Sequence, residues 1–228
     1  MRSRAAVPIL ALGGAGIIVL LAIAVTSGIS DPFDRSIVEA VRADGLRGLL
    51  APLRVITELG STGAVTVVAL LTLLVGVLIG PWLHGVLGAL AIGLASLGNE
   101  ALKAVIARAR PDLLDPIVTE RGFSFPSGHS ALGMAAWGIL GVLVMRSRLP
   151  LGVRRGVVAA VAVLIVLIGL SRIWLGVHYP TDVLAGWTAG AVIVLLYARL
   201  TRRVSPEPAA AAVDADPAAQ RSDPPAPR

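Results

Sequence analysis

The chain has 228 residues, of which 56% are hydrophobic and only 15% are charged, and its mean hydropathy is +0.83. A soluble domain carries about 25% charged residues, so this composition excludes an ordinary soluble protein and predicts an integral membrane protein. The net charge of +6 comes from basic residues clustered at the ends of apolar runs, a pattern that reports membrane topology and not nucleic-acid binding. Cysteine is absent, which excludes disulfides and cysteine-ligated metals, and a multi-histidine metal site would need almost all of the three histidines.

The first apolar run covers residues 7–27 and follows Arg2 and Arg4. Its 21 residues carry no charge, which is enough to cross a bilayer core of about 30 Å as a helix. A cleaved signal peptide also begins with basic residues, but its apolar part usually has about 7–15 residues. We therefore predict a retained membrane helix.

Residues 28–60 form an amphipathic segment, in which Asp31 is placed to cap a helix and Pro32 falls in its first turn. One face is predicted to carry the apolar side chains Phe33, Ile37, Val38 and Val41. The opposite face is predicted to carry the charged side chains Asp34, Arg35, Glu39 and Arg42. The pattern repeats with Leu46, Leu49, Leu50 and Leu53, where Pro52 disturbs it. Two roles stay open: a helix lying along the membrane surface, and an extramembrane lid packed on the protein.

Five further apolar runs predict membrane helices at residues 61–80, 85–107, 130–145, 156–170 and 181–200. Between the second and third spans, a tight turn with interfacial side chains is expected at Pro81, Trp82, Leu83 and His84. We therefore predict an all-α fold, a polytopic bundle of about six transmembrane helices with an amphipathic surface helix.

The distribution of arginines predicts the topology. With six spans, the N-terminus, the 146–155 loop and the arginines after residue 198 lie on one side, which the positive-inside rule assigns to the cytoplasm. Polar segments 28–60, 108–127 and 171–182 then share the outer face. Residues 1–203 would form the membrane domain, and residues 204–228, rich in Pro, Ala, Asp and Ser, a disordered cytoplasmic tail.

Polar residues in the third span indicate a functional role, because inserting an ionisable group at that depth of the membrane costs about 2.5–3.5 kcal/mol. The span carries Asn99, Glu100 and Lys103, the one lysine in the chain. Arg110 follows seven residues later and is biased out of the helix by Pro111, so the two cations can reach one point. A lysine that merely snorkels to the interface is the alternative.

The fourth span opens with Pro126, Ser127, Gly128 and His129. Proline pre-sets a helix start, serine can cap it, and glycine leaves backbone N–H groups accessible to an anion. A histidine beside those N–H groups can protonate a departing oxygen. This segment is therefore a candidate anion site with its own acid.

The stretch 171–182 separates the last two apolar runs and contains Arg172, His178 and Asp182. Pro180 is predicted in the first turn of the sixth helix, which places Asp182 at a helix N-terminus, where it stays ionised. Such a carboxylate can hold one imidazole nitrogen protonated and leave the other with a free lone pair. His178 is then a candidate nucleophile and Arg172 an anion clamp; a turn capped by polar side chains is the alternative.

These segments resemble the signature motifs of the type 2 phosphatidic acid phosphatase superfamily, over roughly residues 60–200. The first motif, Lys, six residues, Arg-Pro, matches Lys103, Arg110 and Pro111. The second, Pro-Ser-Gly-His, matches Pro126, Ser127, Gly128 and His129. The third, Ser-Arg, five residues, His, three residues, Asp, matches Ser171, Arg172, His178 and Asp182, so every defining position is occupied.

The resemblance implies a role for each position. His178 would attack phosphorus to form a phosphohistidine, Asp182 would orient it, and His129 would protonate the leaving group and later activate water. The phosphoryl oxygens would be bound by Lys103, Arg110, Ser127, Gly128 and Arg172. No metal or other cofactor is required in that family. Glu100 lies outside the signature, and we expect it to pair with Lys103 or Arg172.

The resemblance implies a membrane phosphatase whose lipid substrate keeps its tails in the bilayer while the headgroup enters the cationic cluster. Polyprenyl diphosphate, phosphatidate, phosphatidylglycerol phosphate and diacylglycerol diphosphate are all compatible with the motifs. Two alternatives stay open: a phosphotransferase with an acceptor other than water, and a non-catalytic lipid-phosphate binding or transport protein. The lipid bilayer is the expected partner, no nucleic acid is expected, and the sequence makes no prediction of oligomeric state.

Overall fold

The computed structural model describes residues 3–43, 50–79, 81–112 and 120–204, and its secondary structure within these ranges is eight α-helices. In chain order they are α1 (Ser3–Thr26), α2 (Asp31–Ala43), α3 (Leu50–Glu58), α4 (Thr62–Ile79), α5 (Trp82–Ile106), α6 (Gly128–Arg146), α7 (Leu151–Trp174) and α8 (Pro180–Val204). Five of them, α1, α5, α6, α7 and α8, are long and apolar enough to cross a membrane. The pair α3 and α4, bent by 45°, makes up to a sixth span. The predicted multi-span, all-α membrane fold is confirmed.

Helix α6 lies at the centre of the bundle and packs against α4, α5, α7 and α8. Its closest approach to α8 uses Gly186 and Gly190, one turn apart on α8. A Cβ atom at Gly186 would lie 2.6 Å from the Ser127 carbonyl oxygen, and one at Gly190 would lie 2.5 Å from the Ala131 carbonyl oxygen. Small residues at this spacing let two membrane helices approach backbone to backbone. This packing holds the start of α8 against the start of α6.

The apolar core and the outer surface are both hydrophobic, as a membrane bundle requires. Ile92, Ala135, Ile139 and Tyr197 belong to a buried cluster between α4, α5, α6 and α8. Large apolar side chains are also exposed on the outside of the bundle, for example Leu12, Leu70, Leu97 and Val163. A soluble monomer rarely exposes so much contiguous apolar surface, so this surface faces lipid.

Helix α2 packs on α7 and α8, with Val38 buried against Ile173 and Val183. On the predicted apolar face, Val38 is therefore buried, whereas Phe33 is exposed. The predicted place of Asp34 on the charged face is wrong, because this side chain is fully buried and, at 100° per residue, falls between Val41 and Val38. Residues 44–49, with two of the repeating leucines, lie outside the described ranges, as does the predicted tail beyond residue 204.

The third span begins three residues earlier than predicted. Trp82, Leu83 and His84 are helical and belong to the first turn of α5, so the predicted tight turn is wrong. His84 is buried instead of interfacial, and its carbonyl oxygen accepts a hydrogen bond of 3.1 Å from the Tyr197 hydroxyl. The start of α5 therefore packs against Tyr197 of α8, a tertiary contact that the sequence around Trp82 does not reveal.

The fifth span extends past its apolar run. Ser171 and Arg172 lie in the last turns of α7 and not in a loop, so the stretch 171–182 is a helix end, a short turn and a helix start. The Ser171 hydroxyl donates a 2.6 Å hydrogen bond to the Ile168 carbonyl oxygen within the helix. Helix α8 begins at Pro180, as predicted.

Candidate active site

The three motif segments meet at one end of the bundle. The backbone N–H of Ser127, at the start of α6, donates a 3.0 Å hydrogen bond to the carbonyl oxygen of Asp182, in the first turn of α8. From the segment after α5, Arg110 reaches His178 in the turn between α7 and α8. The C-terminal ends of α5 and α7 and the N-terminal ends of α6 and α8 therefore surround one site.

His178 and Asp182 are both buried, with 1% and 0% of their surfaces exposed. His178 Nδ1 lies 3.4 Å from Asp182 Oδ2, and the same oxygen accepts a 3.0 Å hydrogen bond from the backbone N–H of Tyr179. The spacing of four residues places the histidine in the turn just before the helix and the carboxylate in its first turn. The carboxylate is thus held by backbone geometry and faces the imidazole.

The other imidazole nitrogen, His178 Nε2, lies 3.1 Å from Arg110 Nη1. A guanidinium has only donors, so Nε2 accepts and carries the lone pair, while Nδ1 carries the proton that faces Asp182. Arg110 is itself held by the carbonyl oxygens of Val177, at 2.9 Å, and Gly122, at 3.1 Å. Burial lowers the pKa of His178, and Asp182 opposes this effect without cancelling it. At neutral pH the imidazole is therefore neutral, with its lone pair directed at Arg110.

Arg110 and Arg172 share a carboxylate. Glu120 Oε2 lies 3.2 Å from Arg110 Nη1, and Glu120 Oε1 accepts a hydrogen bond from Arg172 Nη2. Arg172 also donates a 2.6 Å hydrogen bond to the Thr57 hydroxyl on α3, while its Nε has no hydrogen-bond partner among the described residues. Burial alone would raise the pKa of Glu120, but the charge and hydrogen bond of Arg172, together with His129 and Arg110, outweigh burial and hold that pKa below its usual range. An ionised carboxylate thus lies between two of the predicted phosphate-binding cations.

Lys103 and the start of α6 form the opposite side of the site. Lys103 Nζ lies 3.5 Å, and Asn99 Nδ2 3.2 Å, from the point where a Cβ atom on Gly128 would sit. A side chain at this position would crowd Asn99 and contact Lys103, so glycine leaves room for both at the helix N-terminus. Ser127 occupies the N-cap position, but its hydroxyl makes no capping bond and instead accepts a 3.0 Å hydrogen bond from Ser130. Pro126 precedes the cap, so the helix starts where the sequence predicts, although the serine side chain does not make the capping bond.

The remaining predicted residues divide between the site and its surroundings. His129 is half-buried and interacts electrostatically with Arg172, Glu120, His178 and Lys103, which places it in the same site. The residues predicted to support the site lie around it: Pro111 lines a groove with Tyr179, Pro126 and Ser171 are buried, and Glu100 pairs with Lys103 at 3.2 Å. Of the two pairings expected for Glu100, the structure contains the one with Lys103, while Arg172 pairs with Glu120.

Sequence reasoning missed a second set of residues around Asp182. Arg108, two residues before the motif arginine, donates a 2.8 Å hydrogen bond to Asp182 Oδ1, and its other terminal nitrogen lies 2.7 Å from Asp34 Oδ2. Thr181 contacts both Arg108 and Asp34. The one available signal was a third cation close in sequence to Lys103 and Arg110. Within the described residues, no group of three or more His, Asp or Glu side chains is arranged to hold a metal ion.

Comparison with known proteins assigns the chain to a family. A family model described as the PAP2 superfamily matches residues 69–205, a range that contains all three motifs. The chain belongs to the PAP2 superfamily. The resemblance inferred from the three motifs is thereby confirmed, and α1, α2 and α3 lie outside the matched range.

Individual relatives agree with the family assignment. Phosphatidylglycerophosphatase B of Bacillus subtilis is 39% identical over 113 residues, which cover 49% of this chain and 55% of that protein. Lipid A 1-phosphatase of Rhizobium johnstonii is 39% identical over 106 residues, 42% of this chain and 39% of that protein. The chain thus matches about half or less of the length of these curated relatives. The crystal structure of a transmembrane PAP2-type phosphatidylglycerolphosphate phosphatase from Bacillus subtilis superposes with a TM-score of 0.76 at 28% identity, covering 86% of this chain and 98% of that one.

Proposed function

We propose that this protein is a metal-independent lipid phosphatase that hydrolyses a phosphomonoester or diphosphate headgroup through a phosphohistidine intermediate. The observation that carries the proposal is the environment of His178, whose Nδ1 faces Asp182 and whose Nε2 faces a predicted phosphate-binding arginine. Relatives named as phosphatases of lipid phosphates support the substrate class.

In the first step, the lone pair of His178 Nε2 forms a bond to phosphorus as the bond from phosphorus to the lipid oxygen breaks. The imidazole then carries positive charge, which the facing carboxylate of Asp182 stabilises. His129 gives its proton to the departing oxygen, so that the lipid leaves as an alcohol. A diphosphate substrate would leave as the lipid monophosphate.

In the second step, water replaces the lipid. His129, now neutral, takes a proton from a water molecule whose oxygen attacks phosphorus, and the bond from phosphorus to Nε2 breaks. Inorganic phosphate is released and both histidines return to their starting protonation states. The transferase alternative differs only here, because another hydroxyl would replace water.

Charge stabilisation in this scheme comes from the protein. Phosphoryl transfer spreads negative charge over three oxygens, and catalysis consists mainly of positioning and neutralising that charge. Lys103, Arg110 and Arg172 supply three cations, and the first N–H groups of α6 supply donors beside Gly128. The proximity of Lys103 to Gly128 supports a single phosphoryl site shared by these groups.

A lipid substrate fits the surroundings of the site. An apolar cavity of about 150 Å³ lies between α1, α5, α6 and α8 and reaches Asn99, which also borders Gly128. In our proposal the headgroup binds at the helix ends while the tail stays among these helices. The arginine distribution supports a site on the outer face with both termini in the cytoplasm.

A phosphate-release panel tests the function. Purified full-length protein should release inorganic phosphate from at least one of phosphatidylglycerol phosphate, phosphatidate, diacylglycerol diphosphate and undecaprenyl diphosphate in the presence of EDTA, and His178→Ala should not. Phosphate release that depends strictly on a divalent metal would overturn the mechanism. Transfer of the phosphoryl group to a lipid or sugar without free phosphate would identify the transferase, and unchanged lipid-phosphate binding with no turnover in either protein would identify a binder.

A further inference from the structure

A buried ion network surrounds Asp182 on the side away from His178. Arg108 is 8% exposed, and Asp34 and Asp182 are not exposed at all. One terminal nitrogen of Arg108 contacts Asp182 Oδ1 at 2.8 Å, and the other contacts Asp34 Oδ2 at 2.7 Å. Buried charges are costly unless they are paired and hydrogen-bonded, so this arrangement calls for an explanation.

The two oxygens of Asp182 have different partners. Oδ2 faces His178 Nδ1 and the backbone N–H of Tyr179, whereas Oδ1 accepts from Arg108. Contacts on both oxygens fix the plane of the carboxylate as well as its position. Arg108 in turn lies over the Tyr179 ring, with 4.1 Å between the guanidinium carbon and the ring centre. The guanidinium therefore has a single orientation, which it imposes on Asp182.

Asp34 completes the network from a different helix. Its Oδ1 accepts a 3.1 Å hydrogen bond from the backbone N–H of Thr181, and its Oδ2 accepts from the Thr181 hydroxyl at 2.6 Å and from Arg108. Asp34 therefore satisfies a donor at the start of α8 and also balances the charge of Arg108. Burial alone would lower the pKa of Arg108, but Asp182 and Asp34 outweigh burial and raise it, so the arginine stays charged.

We infer that Arg108 and Asp34 are positioning residues for the catalytic step, which hold the carboxylate of Asp182 in place and set how strongly its charge acts on His178. Helix α2 is thereby part of the catalytic apparatus, although it lies outside the range matched by the family. The inference rests on the proposed phosphatase activity of His178. Neither residue contacts the anion site, so both act on turnover and not on substrate binding.

The charged and titratable groups that face His178 determine the expected pH dependence. They come from Asp182 on α8, Arg172 on α7, Arg110 on the segment after α5, and His129 on α6. Removal of the charge of Arg108 leaves Asp182 uncompensated, which raises the pKa of His178. Removal of the charge of Asp34 has the opposite sign, because Arg108 then neutralises Asp182 more completely. Since the nucleophile must be neutral, the acidic limb of kcat/KM moves with the pKa of His178.

Three variants of the full-length protein in detergent test the inference through pH profiles of kcat/KM, with the lipid phosphate of the phosphate-release panel that the wild-type protein hydrolyses fastest as substrate. Arg108→Gln should lower kcat about 100-fold, the size of effect expected from a misplaced catalytic group, with KM within about twofold, and should move the acidic limb to higher pH. Asp34→Asn should lower kcat less and move the limb to lower pH. Arg108→Lys, which keeps the charge but cannot bridge both carboxylates, should lower kcat and leave the limb in place.

Controls separate positioning from a purely structural role. Asp31→Asn removes a weaker and more exposed partner of Arg108, at 3.4 Å, and should change kcat much less than Asp34→Asn. Arg155→Ala, on an exposed side chain of α7, should match wild type. Two results would overturn the inference if the wild-type protein is active. In the first, the acidic limb moves in the same direction in Arg108→Gln and Asp34→Asn. In the second, Arg108→Lys has the kcat of wild type. A wild-type protein that releases no phosphate would instead overturn the proposed function and the inference with it.

Discussion

The candidate site has a nucleophile half, around His178 and Asp182, and an anion half, around Arg172 and Glu120. The two halves differ in how completely their polar atoms are hydrogen-bonded. In the nucleophile half, every carboxylate oxygen of Asp182 and Asp34 has a donor. In the anion half, Arg172 Nε and Asn99 Oδ1 have no partner among the described residues, and Glu120 bridges two cations. The nucleophile half is thus organised before substrate arrives, which avoids reorganisation during the reaction. In the proposed mechanism, the anion half exchanges the Glu120 carboxylate for a phosphoryl group.

The largest effect should come from breaking the nucleophile half alone. His178→Ala should lower kcat by about 10⁴-fold or more, as loss of a covalent nucleophile does in other enzymes. Because the anion half is left intact, the variant should still bind inorganic phosphate with wild-type affinity. Phosphate release and isothermal titration with phosphate measure the two properties. Residual turnover within tenfold of wild type would contradict the assignment of the nucleophile.

Breaking the anion half should give a smaller loss with a different signature. Arg172→Gln should lower kcat/KM about 100- to 1,000-fold, the usual cost of removing one donor to a developing oxyanion. It should also abolish binding of inorganic phosphate, which His178→Ala keeps. Arg172→Lys is the companion variant, because it retains a cation beside half-buried Glu120 if the glutamine variant is unstable. Phosphate affinity equal to wild type in both variants would separate Arg172 from the anion site.

The two halves also differ in how far the sequence could predict them. The residues of the three motifs were predicted by spacing and residue type, and the structure brings these segments together because glycines on α8 allow it to pack closely on α6. At 100° per residue, Asp34 falls between Val41 and Val38, so helical periodicity places it on the apolar face of α2 and not on the charged face predicted for it. Its charged partner, Arg108, is distant in sequence and close in space. The periodicity of either segment does not show which residue a buried carboxylate pairs with.

Glu120 illustrates the same limit in the anion half. It belongs to a polar stretch between two spans, where one acidic residue resembles any other on a solvated loop. Its significance comes from two arginines that the chain supplies from different segments, Arg110 and Arg172. Similarly, the sequence offered two partners for Glu100, and only the structure distinguished them.

The pH profile tests whether the nucleophile half is organised without substrate. Burial lowers the pKa of His178 below its ordinary value of about 6.5, so the imidazole stays neutral as the pH falls through that value. At pH 5.5 a histidine with the ordinary pKa would be about 10% neutral, and kcat/KM would fall about tenfold. We expect a fall of less than tenfold between pH 7.5 and 5.5, after correction for the ionisation of the substrate. A larger fall would show that His178 titrates as an exposed imidazole.

Glu120 gives the most sensitive test of the difference between the two halves. In the proposed mechanism its carboxylate competes with phosphate for the same two arginines. Glu120→Gln removes the competing charge, so inorganic phosphate should inhibit the variant at about tenfold lower concentration than wild type, in line with about 1.5 kcal/mol for a hydrogen bond to a charged group. Glu100→Gln is the matched comparison, since Glu100 pairs with Lys103 but is 68% exposed, and exposed pairs contribute little. Its inhibition by phosphate should change by about twofold at most. Weaker inhibition of Glu120→Gln would mean that Glu120 holds the arginines in place for phosphate, and the anion half would then be organised in the same way as the nucleophile half.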